Sequence, residues 1–198
     1  MPDDSGGIDQ RYPWRGAEPT DLDLACAQIA RRLIAGGRRT IGFLAAPGSG
    51  DLLPLLVRVA AALYPFQERQ AAVIPDWPEW DDPPPGTPRL GAADHGPSVR
   101  PLPGAGGPTL LVPPPVPDAD TAVLSLQLAL RRMEQRYAQA LIDLTGLAGA
   151  GAAELAPAAR LVDVITVVGT RGRTKVAELR RMAYRIPDGK SLGVVLIG

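Results

Sequence analysis

The stretch TIGFLAAPGSGDLLPLLVRVAAAL, from Thr40 to Leu63, decides the fold. Residues 40–45 form a short apolar run typical of a buried strand, and residues 51–63 form a longer apolar run typical of a buried helix. Between them lies the segment that we call the glycine turn, residues 45–52. The proline and glycines of this turn are Pro47, Gly48 and Gly50. The stretch therefore predicts a strand, a glycine turn and a helix in succession.

A further helix is predicted before this strand. Thr20 or Asp21 can cap a helix whose apolar stripe continues to Leu33 and which ends at Gly36. Residues 1–19 are rich in Asp, Gly and Pro and show no apolar periodicity. They predict a flexible N-terminal arm.

After the glycine turn, short apolar runs alternate with helical patterns. The predicted strands are 71–74, 109–112, 138–143, 161–168 and 192–197, and the predicted helices are 118–136, 152–159 and 174–185. The segment 75–117 contains 14 of the 22 prolines. We therefore expect this segment to be a proline-rich loop, interrupted only by the strand at 109–112.

This order of elements predicts the fold class. Strands that alternate with helices and lack a polar face indicate a mostly parallel sheet with helices on both faces, a three-layer α/β fold. Residues 20–198 are expected to form a single such domain. Ligands of open α/β sheets bind at the carboxyl ends of the strands, where the glycine turn and Asp143 would meet.

Composition narrows the function classes. The chain has 21 Lys and Arg residues against 21 Asp and Glu residues, so nothing favours binding to nucleic acid by bulk electrostatic attraction. One cysteine and one histidine exclude an intramolecular disulfide and a Cys/His zinc cluster. The sequence shows no apolar segment typical of a signal peptide or a membrane span. We expect a soluble, cytoplasmic protein.

The order of motifs resembles the cytoplasmic domain of the bacterial tyrosine kinases that accompany polysaccharide chain-length proteins of the membrane. These kinases belong to the wider MinD/ParA-like P-loop class. The resemblance rests on the strand and APGSG turn at 40–50, the strand ending in Asp143, and the run RLVDVITVVGTRGRT with the later LGVVLIG. It covers residues 20–198 in order, and the C-terminal run is its most specific part.

The resemblance implies a phosphate-binding loop at the glycine turn, with lysine and a hydroxyl residue after the last glycine. Backbone N–H groups of such a loop hold phosphate, lysine neutralises its charge, and the hydroxyl binds magnesium. Pro47, Gly48 and Gly50 match this pattern, but Asp51 takes the lysine position and Leu52 the hydroxyl position. Replacing attraction by repulsion costs up to about 8 kcal/mol at an effective dielectric near 20. We expect ATP and magnesium binding to be residual at most.

Other positions of the pattern are also changed. The paired acids that follow the second strand in the family are represented by Asp76 alone, and Asp143 matches the acid that organises magnesium. After Asp143, the Thr-Pro-Pro of the family is replaced by Leu144-Thr-Gly146. At the last strand, Ile197 stands where the family has an asparagine near the base. We therefore predict no catalytic residues, no cofactor and a vestigial nucleotide site, with Asp143 as the one weak metal candidate.

Simpler structural explanations exist for the same residues. The glycine turn can be an inherited strand-to-helix connection that uses glycine for its backbone conformation. Asp51 can stabilise the N-terminus of the following helix by about 0.3–1 kcal/mol. Asp143 can cap the loop after its strand.

Two surface features suggest partner binding. Trp77 and Trp80 lie in the proline-rich loop, where they can contact a partner or cover the sheet edge. Arg171, Arg173, Arg180 and Arg181 belong to a basic run that can meet an acidic partner or form a solvated helix face. The first helix stands where the family has an oligomerisation helix, but it lacks the acidic part of that motif. The sequence therefore does not decide whether the protein forms a homo-oligomer.

The sequence thus predicts a catalytically inactive homologue of the polysaccharide-export tyrosine kinase domain. It would act as an interaction or regulatory module in exopolysaccharide or capsule synthesis, recruited to the inner face of the membrane by a chain-length or export protein. Two alternatives are an atypical ATPase or kinase that a partner chain completes with its own cation, and a ParA/MinD-like positioning factor.

Overall fold

A computed structural model describes residues 20–67, 69–76, 98–102, 107–114, 116, 118–150 and 152–198. The predicted arm at 1–19 lies outside these residues. The helices are α1 (Asp21–Ala35), α2 (Leu53–Leu63), α3 (Ala119–Met133), α4 (Thr145–Ala150), α5 (Ala152–Leu161) and α6 (Val176–Arg185). The strands are β1 (Thr40–Ala45), β2 (Ala71–Ile74), β3 (Ser98–Pro101), β4 (Thr109–Val112), β5 (Gln139–Asp143), β6 (Val164–Thr170) and β7 (Ser191–Ile197).

The seven strands form one sheet in the order β3-β4-β2-β5-β1-β6-β7. Strands β4, β2, β5, β1, β6 and β7 run parallel, and β3 pairs with β4 in the antiparallel direction. The parallel neighbours β6 and β7 are joined through α6. The predicted α/β fold class, with a mostly parallel sheet, is confirmed.

Helices cover both faces of the sheet. On one face, Phe43 and Leu141 pack in the same buried cluster as Leu33 of α1 and Leu56 of α2. On the other face, side chains of β1, β2 and β5 pack with those of α3 and α5 in a second cluster. Within the described residues, no helix is both long and apolar enough to cross a membrane.

Cys26 lies inside the layer that α1 and α2 form over the sheet. Its side chain is 1% exposed and belongs to the same apolar cluster as Phe43. Burial raises the pKa of this thiol to about 11. The thiol is therefore protonated in the folded protein at neutral pH.

An aspartate joins the amino ends of β1 and β6. One Asp163 carboxylate oxygen accepts hydrogen bonds from the backbone N–H groups of Arg39 at 2.7 Å and Thr40 at 2.9 Å. The N–H of Asp163 in turn donates to the Thr40 hydroxyl oxygen at 3.0 Å. Burial opposes ionisation of this carboxyl, but the hydrogen bonds from Thr40 and Arg39 outweigh it and lower the pKa. Asp163 therefore fixes the register in which the two strands begin.

Three details of the sequence prediction are wrong. Residues 98–101 form the antiparallel strand β3, so the described part of the segment 75–117 contains two strands where one was predicted. Leu161 is the last residue of α5, and the strand predicted from 161 begins at Val164 because Asp163 turns the chain between them. The short helix α4 directly after β5 was not predicted at all.

Candidate functional site

The glycine turn connects β1 to α2 at the carboxyl end of the sheet. The N–H of Ser49 donates to the carbonyl oxygen of Ala46 at 3.0 Å, which closes a tight turn around Pro47. Gly48 and Gly50 have φ angles of 82° and 73°, a left-handed conformation that glycine adopts without steric cost. The sequence Pro-Gly-Ser-Gly therefore has a local structural reason that holds with or without a ligand.

The two positions after the last glycine point to different environments. The exposed Asp51 accepts a hydrogen bond through its Oδ1 atom from the N–H of Leu53 at 2.9 Å, at the start of α2. Leu52 is 1% exposed and packs in the apolar cluster beneath α1 and α2. Asp51 thus caps its own helix, and Leu52 contributes to the core.

Asp143, the last residue of β5, is buried and accepts hydrogen bonds from Thr145, two residues later in the chain. Its Oδ1 atom accepts hydrogen bonds from the N–H of Thr145 at 2.9 Å and from the Thr145 hydroxyl at 2.5 Å. The same hydroxyl oxygen accepts from the N–H of Ala45 at 2.9 Å. Thr145 therefore links the glycine turn to the acid of the neighbouring strand.

The pKa of Asp143 lies well above that of an ordinary carboxyl. Burial is the largest cause and raises it, the Thr145 hydrogen bonds lower it, and the negative charges of Asp76 and Asp51 raise it, with a net value of about 6. Asp51, Asp76 and Asp143 lie at or after the carboxyl ends of the parallel strands β1, β2 and β5, so all three carboxyls lie at the same end of the sheet. The chain therefore gathers acids where the resemblance implies that phosphate would bind.

Asp76 follows β2 and contacts the first turn of α4. Its Oδ1 atom accepts a hydrogen bond from the N–H of Gly146 at 2.8 Å. A Cβ atom added at Gly146 would lie 2.7 Å from that oxygen, so only glycine allows this approach. Asp76 and Asp143 thus hold the two ends of the short connection between β5 and α4.

A cleft of about 430 Å³ lies beside the glycine turn. Its walls are the glycine turn, α4 and α6, and its lining residues are Ala45, Ala46, Pro47, Gly48, Gly50, Thr145, Ala148, Gly149, Glu178, Arg181, Met182 and Arg185. Arg185 donates through Nη2 to the carbonyl oxygen of Ala148 at 2.8 Å. Two arginines of α6, Arg181 and Arg185, therefore line the same cleft as the glycine turn.

Sequence reasoning missed this role of α6. It grouped Arg181 with the surface arginines and did not single out Arg185. The signal was present, because Glu178, Arg181, Met182 and Arg185 stand at i, i+3, i+4 and i+7 and must share one helix face. What the sequence could not supply was the direction of that face.

The other predicted partner-binding residues lie apart from the cleft lining. Arg171 and Arg173 are exposed in the turn after β6, and Arg180 is exposed on α6. In the part of the chain that the structure describes, none of these three forms an ion pair. Trp77 and Trp80 lie outside the described residues.

The residues present do not fit a magnesium-bound nucleotide in the manner that the resemblance implies. No group of three or more His, Cys, Asp or Glu side chains among the described residues could hold a metal ion. The position that would supply a magnesium-binding hydroxyl is the buried Leu52, and the position that would supply a cation is the acid Asp51. No step of phosphoryl transfer can be derived through this site.

Comparisons with known proteins identify the fold. No protein-family model matches the sequence, and no curated protein matches it. The structure is similar to a solved structure titled BceF tyrosine kinase domain, with a TM-score of 0.62 and 16% sequence identity. The similarity covers 93% of this chain and 81% of that one. The chain therefore has the fold of a bacterial tyrosine kinase domain.

Proposed function

We propose that this chain is a catalytically inactive relative of the polysaccharide-export tyrosine kinase domain. It serves as a cytoplasmic interaction or regulatory module for a membrane protein of exopolysaccharide synthesis or export. The observation that carries the proposal is the pair Asp51 and Leu52, in which an exposed acid caps α2 and an apolar side chain is buried in the core. Both side chains are committed to folding, and neither can perform the phosphate chemistry of the fold.

Electrostatics supports the same conclusion. Burial raises the pKa of Asp143 most, and the negative charges of Asp76 and Asp51 raise it as well. A nucleotide triphosphate brings several negative charges to this end of the sheet. Without a cation at position 51, repulsion by the acids opposes its binding.

The role as an interaction module is supported by the basic turn after β6. Arg171 and Arg173 are exposed and form no ion pair with any described residue. Arginine in such a setting can form bidentate hydrogen bonds with carboxylates of a partner. We therefore place the contact with an acidic cytoplasmic segment of the membrane protein at this turn.

Calorimetry and turnover assays with magnesium and ATP test the loss of chemistry. We expect no binding heat and no hydrolysis by the purified protein. Hydrolysis that Asp143→Ala abolishes would contradict the proposal. Asp51→Lys provides a matched variant, because position 51 is exposed and accepts the longer side chain. A gain of ATP affinity in this variant would assign the loss to residue 51 alone, with the turn itself intact.

A pull-down tests the interaction role. The bait is this protein, and the prey are the cytoplasmic ends of candidate chain-length and export proteins. We expect capture to fall in the double variant Arg171→Glu, Arg173→Glu and to persist in Arg131→Glu, Arg132→Glu, which reverses two exposed charges on α3. Equal capture by both variants, or capture of no candidate, would contradict the proposed module.

One observation favours a second candidate function, an atypical ATPase or kinase. Arg181 lines the cleft beside the glycine turn, where a guanidinium group can neutralise phosphate in place of the missing lysine. In this candidate the cation comes from the same chain, so no partner chain is required for it. ATP binding by the wild type that Arg181→Ala removes and Arg180→Ala preserves would establish this function over the inactive module.

A further inference from the structure

Strand β7 forms one edge of the sheet that the described strands build. It pairs with β6 in parallel, and no described strand lies beyond it. The carbonyl oxygen of Ile197 accepts from the N–H of Arg171 at 2.8 Å, so the backbone polar groups of Ile197 face β6. Because these groups alternate in direction along a strand, those of Leu196 and Val194 face away from the sheet.

The side chains of this edge are apolar. Val194 and Leu196 are each 46% exposed and lie on the same face of β7. The sequence from Ser191 to Ile197 contains no charged residue and no proline. Natural proteins use charges, prolines or short strands to prevent pairing at such edges. None of these three protections is present on β7. A register shift at Leu192 interrupts the ladder near the start of the strand, and the residues from Gly193 to Ile197 pair regularly with β6.

The opposite edge of the same sheet is protected. Strand β3 has four residues, all exposed, and two of them are Arg100 and Pro101. An arginine disfavours pairing with a second copy, and a proline lacks the N–H that a ladder needs. The difference between the edges indicates that the openness of β7 is specific to that strand.

We propose that β7 pairs with β7 of a second copy of this chain, in the antiparallel direction, with the two-fold axis at Val195. In this register Val194 of one copy faces Leu196 of the other, and Leu196 of the first copy faces Val194 of the second. Both residues direct their N–H and C=O groups outward, so the two pairs exchange four backbone hydrogen bonds. The four half-exposed apolar side chains then form one contiguous cluster across the axis.

Charges at the ends of the strand favour this direction. The exposed Asp188 precedes β7, and the exposed Arg171 and Arg173 lie beside its C-terminal end, where Arg171 donates to Ile197. Lys190, at the same end as Asp188, donates through Nζ to the carbonyl oxygen of Val162 at 2.6 Å, so its charge is directed toward the start of β6 and not toward the outer edge. An antiparallel pair brings the start of one strand to the end of the other. Asp188 of each copy therefore approaches the arginines of its neighbour, twice in a symmetric dimer.

Sedimentation velocity of the full chain over a range of concentrations tests the dimer. We expect a reversible monomer-dimer equilibrium. Val194→Lys places a charge next to the axis, opposite Leu196 of the other copy, and should raise the dissociation constant by about tenfold or more. The matched control is Val99→Lys, which adds the same charge to an exposed valine on β3 and should leave the dissociation constant unchanged. A circular dichroism melt verifies that both variants are folded.

A second variant tests the register. Asp188→Lys should weaken the dimer by placing a cation opposite Arg171 and Arg173, and Glu134→Lys, at an exposed site on the end of α3, should not. A wild type that stays monomeric at all concentrations overturns the proposal. So does a dimer that Val194→Lys or Asp188→Lys leaves unchanged. The nucleotide assays do not involve the dimer. Val194→Lys leaves Arg171 and Arg173 in place, so pull-down with this variant separates a failure of the dimer from a failure of the proposed function.

Discussion

Two aspartates at opposite ends of the sheet have carboxyl pKa values that the fold shifts in opposite directions. Asp163, at the amino end, accepts two backbone hydrogen bonds and has a lowered pKa. Asp143, at the carboxyl end, is 3% exposed and has a pKa raised to about 6. The first carboxylate stabilises the fold when it is charged, and the second destabilises it.

This difference in pKa distinguishes an acid that stabilises the fold from an acid that destabilises it. The Asp163 hydrogen bonds join β1 to β6, so folding alone explains the acid. Asp143 is buried beside two other acids, at a free-energy cost that folding alone does not explain. Strain or unfavourable charge of this kind is typical of functional sites and of sites inherited from functional ancestors.

The largest expected effect is a loss of stability when the hydrogen bonds at the amino end of the sheet are removed. Asp163→Ala removes the acceptor of the Arg39 and Thr40 N–H groups and should lower the free energy of unfolding by about 2–4 kcal/mol at pH 7. Chemical denaturation measures the change, and Glu134→Ala, on the same end of the molecule but exposed, serves as the control. Because the pKa of Asp163 is lowered by folding, its contribution is present above the unfolded pKa and is lost as the pH falls. Equal stability of both variants would contradict this assignment.

The second prediction concerns the carboxyl end and has the opposite sign. The pKa of Asp143 rises from 3.8 to about 6 on folding, so its favourable contribution is complete below pH 3.8 and is lost as the pH rises through 6. At pH 7 the ionised acid destabilises the protein by up to about 3 kcal/mol. Asp143→Asn keeps an oxygen for Thr145 and should raise the free energy of unfolding by about 1–3 kcal/mol at pH 7. Unfolding curves at pH 4.5 and pH 7.5 check that the gain grows with pH. A gain that is independent of pH would refute the burial of a charge as its cause.

The smallest effect compares two glycines of α4. Gly146→Ala places a Cβ atom 2.7 Å from an Asp76 oxygen, whereas a Cβ atom at Gly149 meets nothing within 4 Å. Gly149→Ala should stabilise the helix by about 0.5–1 kcal/mol. In Gly146→Ala the loss of the Asp76 hydrogen bond should cancel that gain and leave the variant about 1–2 kcal/mol less stable than Gly149→Ala. Thermal melts of the pair measure this difference, and identical melting temperatures would show that Asp76 moves away without cost.

Most of the fold could be predicted from the sequence, because apolar runs with clear boundaries specify it. Strands β1, β2 and β4 have the predicted limits. Strand β3 was missed since SVRP is short, polar and fully exposed, and its pairing with β4 depends on a contact that no local pattern encodes. Helix α4 was missed because TGLAGA contains two glycines, which disfavour a helix, and its first turn relies on Asp76.

The candidate site was predictable only in part. The positions of Asp51, Leu52 and Asp143 followed from the resemblance and from the order of the elements. The contact between Asp76 and Gly146 joins residues 70 positions apart, and the approach of Arg181 to the glycine turn depends on how α6 packs. Both require the tertiary arrangement, which residue types and spacing do not determine.

The buried thiol of Cys26 makes the stability of one layer measurable without a mutation. The chain has a single cysteine, and the fold keeps it protonated and covered by α1 and α2. A reagent that modifies thiolates can therefore react with Cys26 only when that layer opens. The labelling rate thus reports how often the pair of helices α1 and α2 opens. Each variant above can be assigned to local or global loosening by the rate at which this one sulfur is modified.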